Sequence, residues 1–167
     1  MTATPPLQTQ RLKLEPVRIS HAEEVWPQLD DERMWHYFTQ LRPKTIDDLR
    51  ALYARWERGS TDPDEVWWNW LCRDRASGEI TAAMQATIVL DARAAYVAYA
   101  VYVRHQRKGY AREAVRAVME HVRETFGITR FLAVMDTRNE ASYRLAESLG
   151  FTRVETSEGE YVYELRL

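Results

Sequence analysis

Apolar positions along this chain follow two periods, and the changes between them predict the order of its elements. Leu12 and Leu14 alternate with charged residues, which predicts a half-buried strand over residues 7–17 after a flexible polar tail at residues 1–6. Apolar positions spaced three and four residues apart then indicate amphipathic helices. Three short helices are expected in the N-terminal half, over residues 21–29, 30–38 and 46–57, with Ser20 and Thr45 as caps of the first and third.

The pattern changes at residue 66, where aromatic and β-branched residues replace the helical spacing. Turn residues at 76–78 and 91–93 separate three apolar runs, and this arrangement is typical of an antiparallel meander. The three strands of the predicted meander lie at residues 66–73, 79–90 and 94–103.

A long amphipathic helix follows the meander. Val115, Val118 and Val122 repeat at helical spacing, and Gly127 is the expected C-terminal stop. After it the pattern predicts a strand, a helix closed by Gly150 and a β-hairpin. These elements cover residues 130–136, 139–150 and 151–167. The whole order predicts an α/β (α+β) fold with a mixed sheet and helices on both faces.

Bulk composition favours a single globular domain over residues 1–167. The hydrophobic share is 46%, the charged share is 29% and the formal net charge is −2. Such a charge argues against a general nucleic-acid-binding surface. Cys72 is the single cysteine, so neither an internal disulfide nor a cysteine metal pattern is available. We find no signal peptide and no apolar run long enough for a membrane span, so a cytoplasmic location is expected.

The loop before the long helix has a composition suited to phosphate binding. Arg104, Arg107 and Lys108 supply positive charge, and Gly109 lets the backbone approach an anion closely. The N–H groups of such a loop and of the first helical turn lack intrahelical partners, and the helix dipole adds positive potential there. The alternative is an ordinary strand–turn–helix with a solvated basic turn.

The same stretch carries a resemblance to a known family. Residues 106–111, Q-R-K-G-Y-A, resemble the Q/R-x-x-G-x-G/A pyrophosphate loop of the GCN5-related N-acetyltransferases (GNAT). Residues 139–151 are similar to the family's N-x-x-S-x-R-x-A-E-x-L-G-F, and residues 97–101 align with its central strand. Residues 9–14 resemble the T-x-R-L-x-L opening of the branch that includes ribosomal-protein alanine acetyltransferases. Nearly the whole chain is covered.

This resemblance implies a mostly antiparallel central sheet, acetyl-CoA as co-substrate and no metal. The backbone of Val101 and Val103 would pair with the pantetheine amides like an added strand. The loop would hold the pyrophosphate, and Asn139 would bind the cofactor, although it could also be only a helix cap. The full set implied for cofactor binding is Val101, Val103, Gln106, Arg107, Lys108, Gly109, Tyr110, Ala111, Arg112, Asn139, Ser142 and Arg144.

The catalytic groups implied by the resemblance are less complete. The Val101 N–H would stabilise the developing oxyanion, and Ser142, with Tyr143 as a weaker candidate, would serve the leaving thiolate. Many relatives have a tyrosine where this chain has Ala146, and a glutamate where it has Tyr96. Three candidates remain for the base. They are Tyr99, His105 and a carboxylate from the helical N-terminal half.

The amine acceptor is left open between a protein N-terminus and a small-molecule amine. Deprotonating a free α-amine at pH 7 costs about 1 kcal/mol and a lysine about 4.6 kcal/mol, so a site without an evident base favours the α-amine. We expect the acceptor to contact Trp35, Trp68, Trp70 and Tyr99, while core packing is the competing interpretation for each tryptophan.

Two further functions and the oligomeric state also stay open. A domain that binds acyl-CoA as a sensor, without turnover, fits the missing tyrosine and glutamate, whereas a nucleoside-triphosphate enzyme lacks a pattern for Mg²⁺. Monomer and homodimer are both compatible with the sequence.

Overall fold

The computed structural model describes residues 3–37 and 42–167. Within them, eight strands form one sheet. The strands are β1 Leu7–Gln8, β2 Leu12–Pro16, β3 Glu65–Asp74, β4 Ile80–Val89, β5 Ala94–Val101, β6 Arg130–Asp136, β7 Thr152–Ser157 and β8 Glu160–Arg166. Their order across the sheet is β1-β2-β3-β4-β5-β6-β8-β7, and every neighbouring pair is antiparallel except β5 and β6. The predicted mixed, mostly antiparallel sheet is confirmed.

Helices cover both faces of this sheet. They are α1 Ala22–Val25, α2 Ile46–Arg58, α3 Tyr110–Phe126 and α4 Glu140–Ser148. One buried cluster joins α3 and α4 to the sheet, and it includes Val115, Val118 and Val122 at the predicted helical spacing. A second, smaller cluster joins α1 and α2 to the opposite face. In the described part of the chain, none of the helices has the length and apolar character needed to cross a membrane.

Strands β5 and β6 diverge after a short parallel contact. Their pairing runs from Ala94 opposite Arg130 to Tyr96 opposite Leu132, and stops there. The rest of β5 stays paired with β4 on its other side, as far as Val101 opposite Ala82. The sheet is therefore open between the C-terminal ends of β5 and β6.

The prediction of one strand over residues 7–17 was wrong, because the chain turns between β1 and β2. At this turn, the Thr9 hydroxyl and the Arg11 backbone N–H both donate to the carboxylate of Glu113 on α3, at 2.6 and 2.8 Å. A contact with a residue so distant in sequence leaves no trace in the local alternation pattern.

The first predicted helix, over residues 21–29, is also interrupted. It consists of the single helical turn α1 between two 3-10 turns, and Pro27 lies in the second of these. Proline lacks the N–H that would continue the helix. Ser20 does not cap it, because Ser20 lies inside the first 3-10 turn, Ile19–His21, whose N-cap is Arg18.

The two following helical segments differ in how regular they are. Residues 32–35 form a 3-10 turn that Asp31 caps, and Phe38, the predicted end of this helix, lies outside the described residues. Helix α2 agrees closely with the prediction. Its N-cap Thr45 and its third residue, Asp48, form a reciprocal capping box.

Two predicted boundaries shift for local reasons. Strand β5 ends at Val101, and Val103 begins a 3-10 turn in which its carbonyl accepts from the Gln106 N–H at 3.3 Å. Part of the predicted N-terminal tail packs on the sheet. The Thr4 hydroxyl accepts from the Asn69 N–H at 3.2 Å, and the Pro5 carbonyl accepts from the Trp70 indole at 2.6 Å. These contacts cover the edge of β3 beyond the end of β2.

Candidate functional site

A cleft of about 590 Å³ lies where β5 and β6 diverge. Its walls come from the end of β5, the loop that follows, the first turns of α3 and α4, and the 3-10 turn at Glu32–Trp35. The sheet opening thus brings together two sequence motifs that are more than twenty residues apart, the loop at 106–111 and the helix start at 139–142.

The loop at the mouth of the cleft presents a row of unused donors. In the described structure, the backbone N–H groups of residues 107–112 have no hydrogen-bond acceptor. Arg107 and Gly109 have φ values of 62° and 81°, in the left-handed region, which costs a non-glycine residue free energy. The Gly109 carbonyl turns back to accept from the Glu113 N–H at 3.2 Å. Such a loop at a helix N-terminus suits a phosphate anion.

Arg11, which was not predicted as a site residue, holds this loop in place through its guanidinium group. One guanidinium nitrogen donates to the Lys108 carbonyl at 2.8 Å, and Nε pairs with Glu113 at 2.7 Å. The guanidinium also lies 5.0 Å from the ring centre of Tyr110. Burial would raise the pKa of Glu113, but hydrogen bonds from Thr9 and Arg11 outweigh it and hold the pKa below its usual value. The sequence feature that could have identified Arg11 is the T-x-R-L opening, in which Arg11 is the arginine.

Tyr110 fixes the first turn of α3 through its side chain. Its hydroxyl donates to Oδ2 of Asp74 at 2.5 Å. This hydrogen bond, together with the N–H groups of Ser77 and Ala76, lowers the pKa of Asp74 to about 2. Tyr110 also lines the cleft, but its hydroxyl is bound to Asp74 and anchors the helix.

The structure brings most of the predicted cofactor residues to the cleft. Those that line it are Val101, Gln106, Arg107, Gly109, Tyr110, Ala111, Arg112, Asn139 and Ser142. Arg33 joins Arg107 and Arg112 in the wall and was missed, because nothing in residues 30–38 marks it as an anion contact.

Three other predicted cofactor residues lie outside this wall. Val103 packs against the cluster on the other face, and Lys108 is exposed with its carbonyl bound to Arg11. Arg144 pairs with Glu140 one turn earlier and has a side chain that is 72% exposed. Their contact with a cofactor stays a prediction.

The open edge of β5 offers backbone groups to the cleft. The Tyr102 N–H donates to the Thr81 carbonyl of the neighbouring segment at 3.0 Å. In an antiparallel pair, alternate residues direct their backbone N–H and C=O groups toward the partner strand. Since Tyr102 bonds to the segment beside it, Tyr99 and Val101 direct their backbone groups away from β4, toward the opening. The Val101 carbonyl accepts from the Gln106 side chain at 3.1 Å, which leaves the Val101 N–H as a donor.

Tyr99 and Ser142 meet at the bottom of the cleft. The Tyr99 hydroxyl lies 3.0 Å from Ser142 Oγ and donates to the Ser142 carbonyl at 3.1 Å. Asn139 caps α4, with its Oδ1 accepting from the Ser142 N–H at 3.2 Å. Burial raises the pKa of Tyr99, and the contact with Ser142 only partly offsets this, so the phenol is neutral near pH 7. The predicted helix-cap role of Asn139 is confirmed, and its side chain still faces the cleft.

Tyr143 was wrong as a catalytic candidate. Its ring packs edge-on against Tyr161 of β8, with centroids 5.8 Å apart, and it joins the core cluster beneath α4. A neighbour of Ser142 on a helix points about 100° away around the axis, which takes this side chain out of the cleft.

A second cavity, of about 200 Å³, lies on the α2 face of the sheet. Its walls carry Trp35, Tyr53 and Trp56, and its floor is formed by small residues of β4 and β5 that include Ala98. It shares Met34, Tyr99 and Ala100 with the cleft, so the two cavities meet at the end of β5. Trp35 and Tyr99 both line this cavity, and their contact with an acceptor stays a prediction.

Trp68 and Trp70 were wrong as acceptor contacts. They are 2% and 0% exposed and lie in the core on the opposite face of the sheet from the second cavity. Trp68 packs against Phe126 and His121 of α3, with ring centroids 5.1 and 5.3 Å away. Alternation correctly put both tryptophans on one face, but α3, not a ligand, covers that face.

The candidates for a general base are reduced to two. His105 is 4% exposed, lines the cleft and has its pKa lowered by burial, so its ring is neutral near pH 7. Tyr99 is the other. Among the described residues, neither cavity is lined by an aspartate or a glutamate. The same part of the chain contains no group of His, Cys, Asp and Glu side chains arranged to hold a metal.

Known proteins resemble this chain in sequence and in structure. An Acetyltransferase (GNAT) domain model matches residues 11–152. A curated relative, the uncharacterized N-acetyltransferase YoaA of Bacillus subtilis, is 25% identical over 149 residues, which is 89% of this chain and 84% of that protein. YoaA's name gives an activity class without an acceptor.

Two solved structures show the same fold at low identity. RimL, a ribosomal L7/L12 alpha-N-protein acetyltransferase in its apo form, superposes with a TM-score of 0.82 at 18% identity, covering 98% of this chain and 94% of that one. The self-immunity acetyltransferase MccE, in complex with acetyl-CoA and AMP, has a TM-score of 0.78 at 16% identity, covering 95% and 94%. With the domain match spanning most of its length, the chain belongs to the GNAT family of N-acetyltransferases.

Proposed function

We propose that this protein transfers an acetyl group from acetyl-CoA directly to a primary amine, either a protein N-terminus or a small molecule. The observation that carries the proposal is the row of unpartnered N–H groups at residues 107–112 beside the open edge of β5. The first feature suits a pyrophosphate and the second suits the amides of a pantetheine arm. Both lie on the same cleft, so one extended ligand can use them together.

The binding roles follow from these positions. Arg33, Arg107 and Arg112 place positive charge around the phosphates, and the N–H groups of the loop supply the directed hydrogen bonds. The free backbone groups of Tyr99 hold the arm against β5, and the free N–H of Val101 lies two residues further along the same edge. This places the acetyl carbonyl near the Val101 N–H, which can stabilise the oxyanion that develops during attack.

The chemistry then needs one proton to leave the amine and one to reach sulfur. The reaction forms a C–N bond and breaks a C–S bond. Ser142 Oγ lies at the same end of the cleft and can donate a proton to the leaving sulfur, and the Tyr99 hydroxyl 3.0 Å away can relay a proton from solvent back to Ser142, so that both hydroxyls end the reaction neutral. This pair takes the place of the tyrosine that many relatives have where this chain has Ala146.

The amine arrives from the second cavity in an apolar environment. Burial among aromatic and aliphatic side chains disfavours an ammonium ion, so the neutral, nucleophilic form is populated more than in water. The proton leaves through solvent or His105, since no carboxylate of the described residues lines either cavity. Amines of low pKa need the least help to lose this proton.

Titration calorimetry with acetyl-CoA, CoA and ATP tests the binding half of the proposal. Both CoA species should bind, and Gly109→Trp should abolish their binding, because position 109 has φ 81° and a Cβ there would lie 3.3 Å from Arg11. Gly159→Trp is the matched control, since Gly159 has φ 84° with open space around it in the β7–β8 turn. Urea unfolding of both variants checks that the fold is kept. Preference for ATP, or binding that survives Gly109→Trp, would contradict the proposed site.

A sensor that binds acyl-CoA without turnover is the second candidate. The specific observation in its favour is the absence of an aspartate or glutamate from both cavities in the described structure. Thiol release with a broad panel of amines separates the two functions. Release that depends on an added amine supports the enzyme, and tight acetyl-CoA binding with no release for any amine supports the sensor.

A further inference from the structure

The second cavity has the chemistry of a site for one aromatic ring. Its walls carry Trp35, Tyr53 and Trp56, and the Tyr53 and Trp56 rings stack with centroids 5.7 Å apart and planes 25° apart. Its floor is made of small side chains of β4 and β5, Ala83, Ala98 and Ala100. Flat aromatic walls over a floor of alanines leave a slot that an aromatic ring fills with favourable offset or edge contacts.

Charge in and around the cavity disfavours acceptors with a second cationic group. Its described lining residues include no charged side chain, and burial raises the pKa of Tyr53 and of Tyr102, so both phenols are neutral. The adjoining cleft contributes the positive charges of Arg107 and Arg112, while Arg33 is paired with Asp31. A second ammonium would therefore be desolvated without a carboxylate partner and beside positive charge.

The size of the cavity limits the acceptor further. A volume of about 200 Å³ is below the range of roughly 300–1,000 Å³ typical of drug-sized ligands. It suits a single ring with a short alkyl arm. The arm must reach Tyr99 and Ala100, where the cavity joins the cleft and the acetyl group is expected.

One carboxamide defines the polar end of the slot. Gln85 lies on the floor opposite Ala98, and its side chain has no hydrogen-bond partner among the described residues. Asn69 lies directly opposite Gln85 on β3 but is buried and does not line the cavity. With strands about 4.8 Å apart, the Gln85 amide is roughly one strand spacing from β5. A neutral polar group on the ring would satisfy it.

We infer that the acceptor is a compact aromatic primary amine with one neutral hydrogen-bonding group on its ring, distant from the amine. This inference rests on the proposed acetyl transfer and adds the substrate class. Tyramine is a suitable probe, because its phenol can reach Gln85 while its amine lies at Tyr99. Phenethylamine has the same shape without the hydroxyl.

The first test is an acceptor panel with acetyl-CoA saturating. Tyramine should exceed spermidine, an internal-lysine peptide and a peptide with an N-terminal tyrosine by at least tenfold in kcat/KM, and should exceed phenethylamine about fivefold. Gln85→Leu should bring tyramine and phenethylamine to equal kcat/KM. Preference for spermidine or for either peptide would overturn the inference, and so would a tyramine advantage that survives Gln85→Leu.

The second test fills the slot. Ala98→Leu adds bulk to its floor and should raise the KM of tyramine at least tenfold without changing the Kd of acetyl-CoA. Ala51→Leu is the matched control, since Ala51 is exposed on α2 and outside the cavity, and it should leave both constants unchanged. An unchanged KM in Ala98→Leu would overturn the inference.

Calorimetry separates failure of the inference from failure of the proposed function. Acetyl-CoA is titrated into the wild type and each variant, and tyramine is titrated into the CoA-loaded wild type. Acetyl-CoA binding with acetylation of another amine class overturns only the acceptor assignment, as does CoA-loaded protein that does not bind tyramine. Loss of acetyl-CoA binding in the wild type overturns the proposed function itself.

Discussion

The two cavities that meet at Tyr99 offer their proposed ligands opposite kinds of contact. The cleft between β5 and β6 uses backbone N–H groups and three arginines, and its loop is held by Arg11 and Glu113. The cavity beneath α2 uses ring faces, alanines and the unpartnered carboxamide of Gln85. Directed donors and charge suit the proposed phosphate-bearing ligand, whereas an apolar slot would select a ligand by its shape and its lack of charge.

The comparison explains why one site follows a motif and the other does not. A row of free N–H groups requires a particular backbone path, and this path restricts residues such as Gly109, which has φ 81°. An apolar wall tolerates many side-chain combinations of similar volume. Its residues therefore form no recognisable string, even though they lie beside the same reactive position.

The tryptophans on the two sheet faces should show the largest difference. Trp68→Ala should lower the free energy of unfolding by about 3–5 kcal/mol, because it empties space in a packed core. Trp35→Ala should cost less than half as much, since Trp35 is only partly buried, and should raise the KM for the amine. Urea unfolding and steady-state kinetics measure the two effects. A larger stability loss for Trp35→Ala would show that the assignment of faces is wrong.

The hydroxyl pair where the cavities meet should control turnover. Tyr99→Phe should lower kcat about 100-fold, because it removes the group that resupplies the proton at Ser142. The Kd of acetyl-CoA should stay unchanged, since Tyr99 contributes its backbone to binding. Tyr96→Phe is the control on the same strand, at a residue that is 43% exposed. Equal kcat values for the two variants would rule out a role for the Tyr99 hydroxyl.

Removing the contacts that Arg11 makes with the loop should affect only binding in the cleft between β5 and β6. Arg11→Met should weaken acetyl-CoA binding about tenfold, because charge-assisted hydrogen bonds of roughly 1.5–3 kcal/mol no longer hold the loop. The KM of the amine should not change. Arg18→Met removes a comparable exposed ion pair, with Glu57, and should leave both constants unchanged. Calorimetry measures the Kd of acetyl-CoA for both variants. An unchanged Kd for Arg11→Met would contradict a positioning role for Arg11.

Removing the N-cap of α2 should give the smallest effect on stability. This effect should be confined to the face of the sheet that carries the apolar cavity. Thr45→Ala should lower the free energy of unfolding by about 1 kcal/mol, because it removes a reciprocal capping box. Acetyl-CoA binding should be unaffected. Thr125→Ala, at an exposed position on α3, is the control for urea unfolding. A change in acetyl-CoA affinity would mean that the two sides are coupled more tightly than their separate clusters indicate.

Local chemistry is what the sequence determined on its own. The loop at residues 106–111, the caps Thr45 and Asn139 and the helix stop at Gly127 depend on contacts within a few residues, and the structure confirms the two caps and the stop. The amphipathic period of α3 and the alternation of β3 likewise identified which side chains share a face. Together these predicted most of the order of elements after residue 45, and the resemblance of residues 106–111 and 139–151 to known motifs predicted the family.

Contacts between distant residues were decided only by the tertiary structure. The turn between β1 and β2 depends on Glu113, and the Tyr99 hydroxyl meets a serine on another helix. Alternation put Trp68 and Trp70 on one face without showing that α3 covers it. A period reports which side chains share a face, but the layer that covers each face is set by packing between elements far apart in the chain. For that reason the loop proposed to bind phosphate was predicted from the sequence, and the cavity proposed for the acceptor had to be found in the fold.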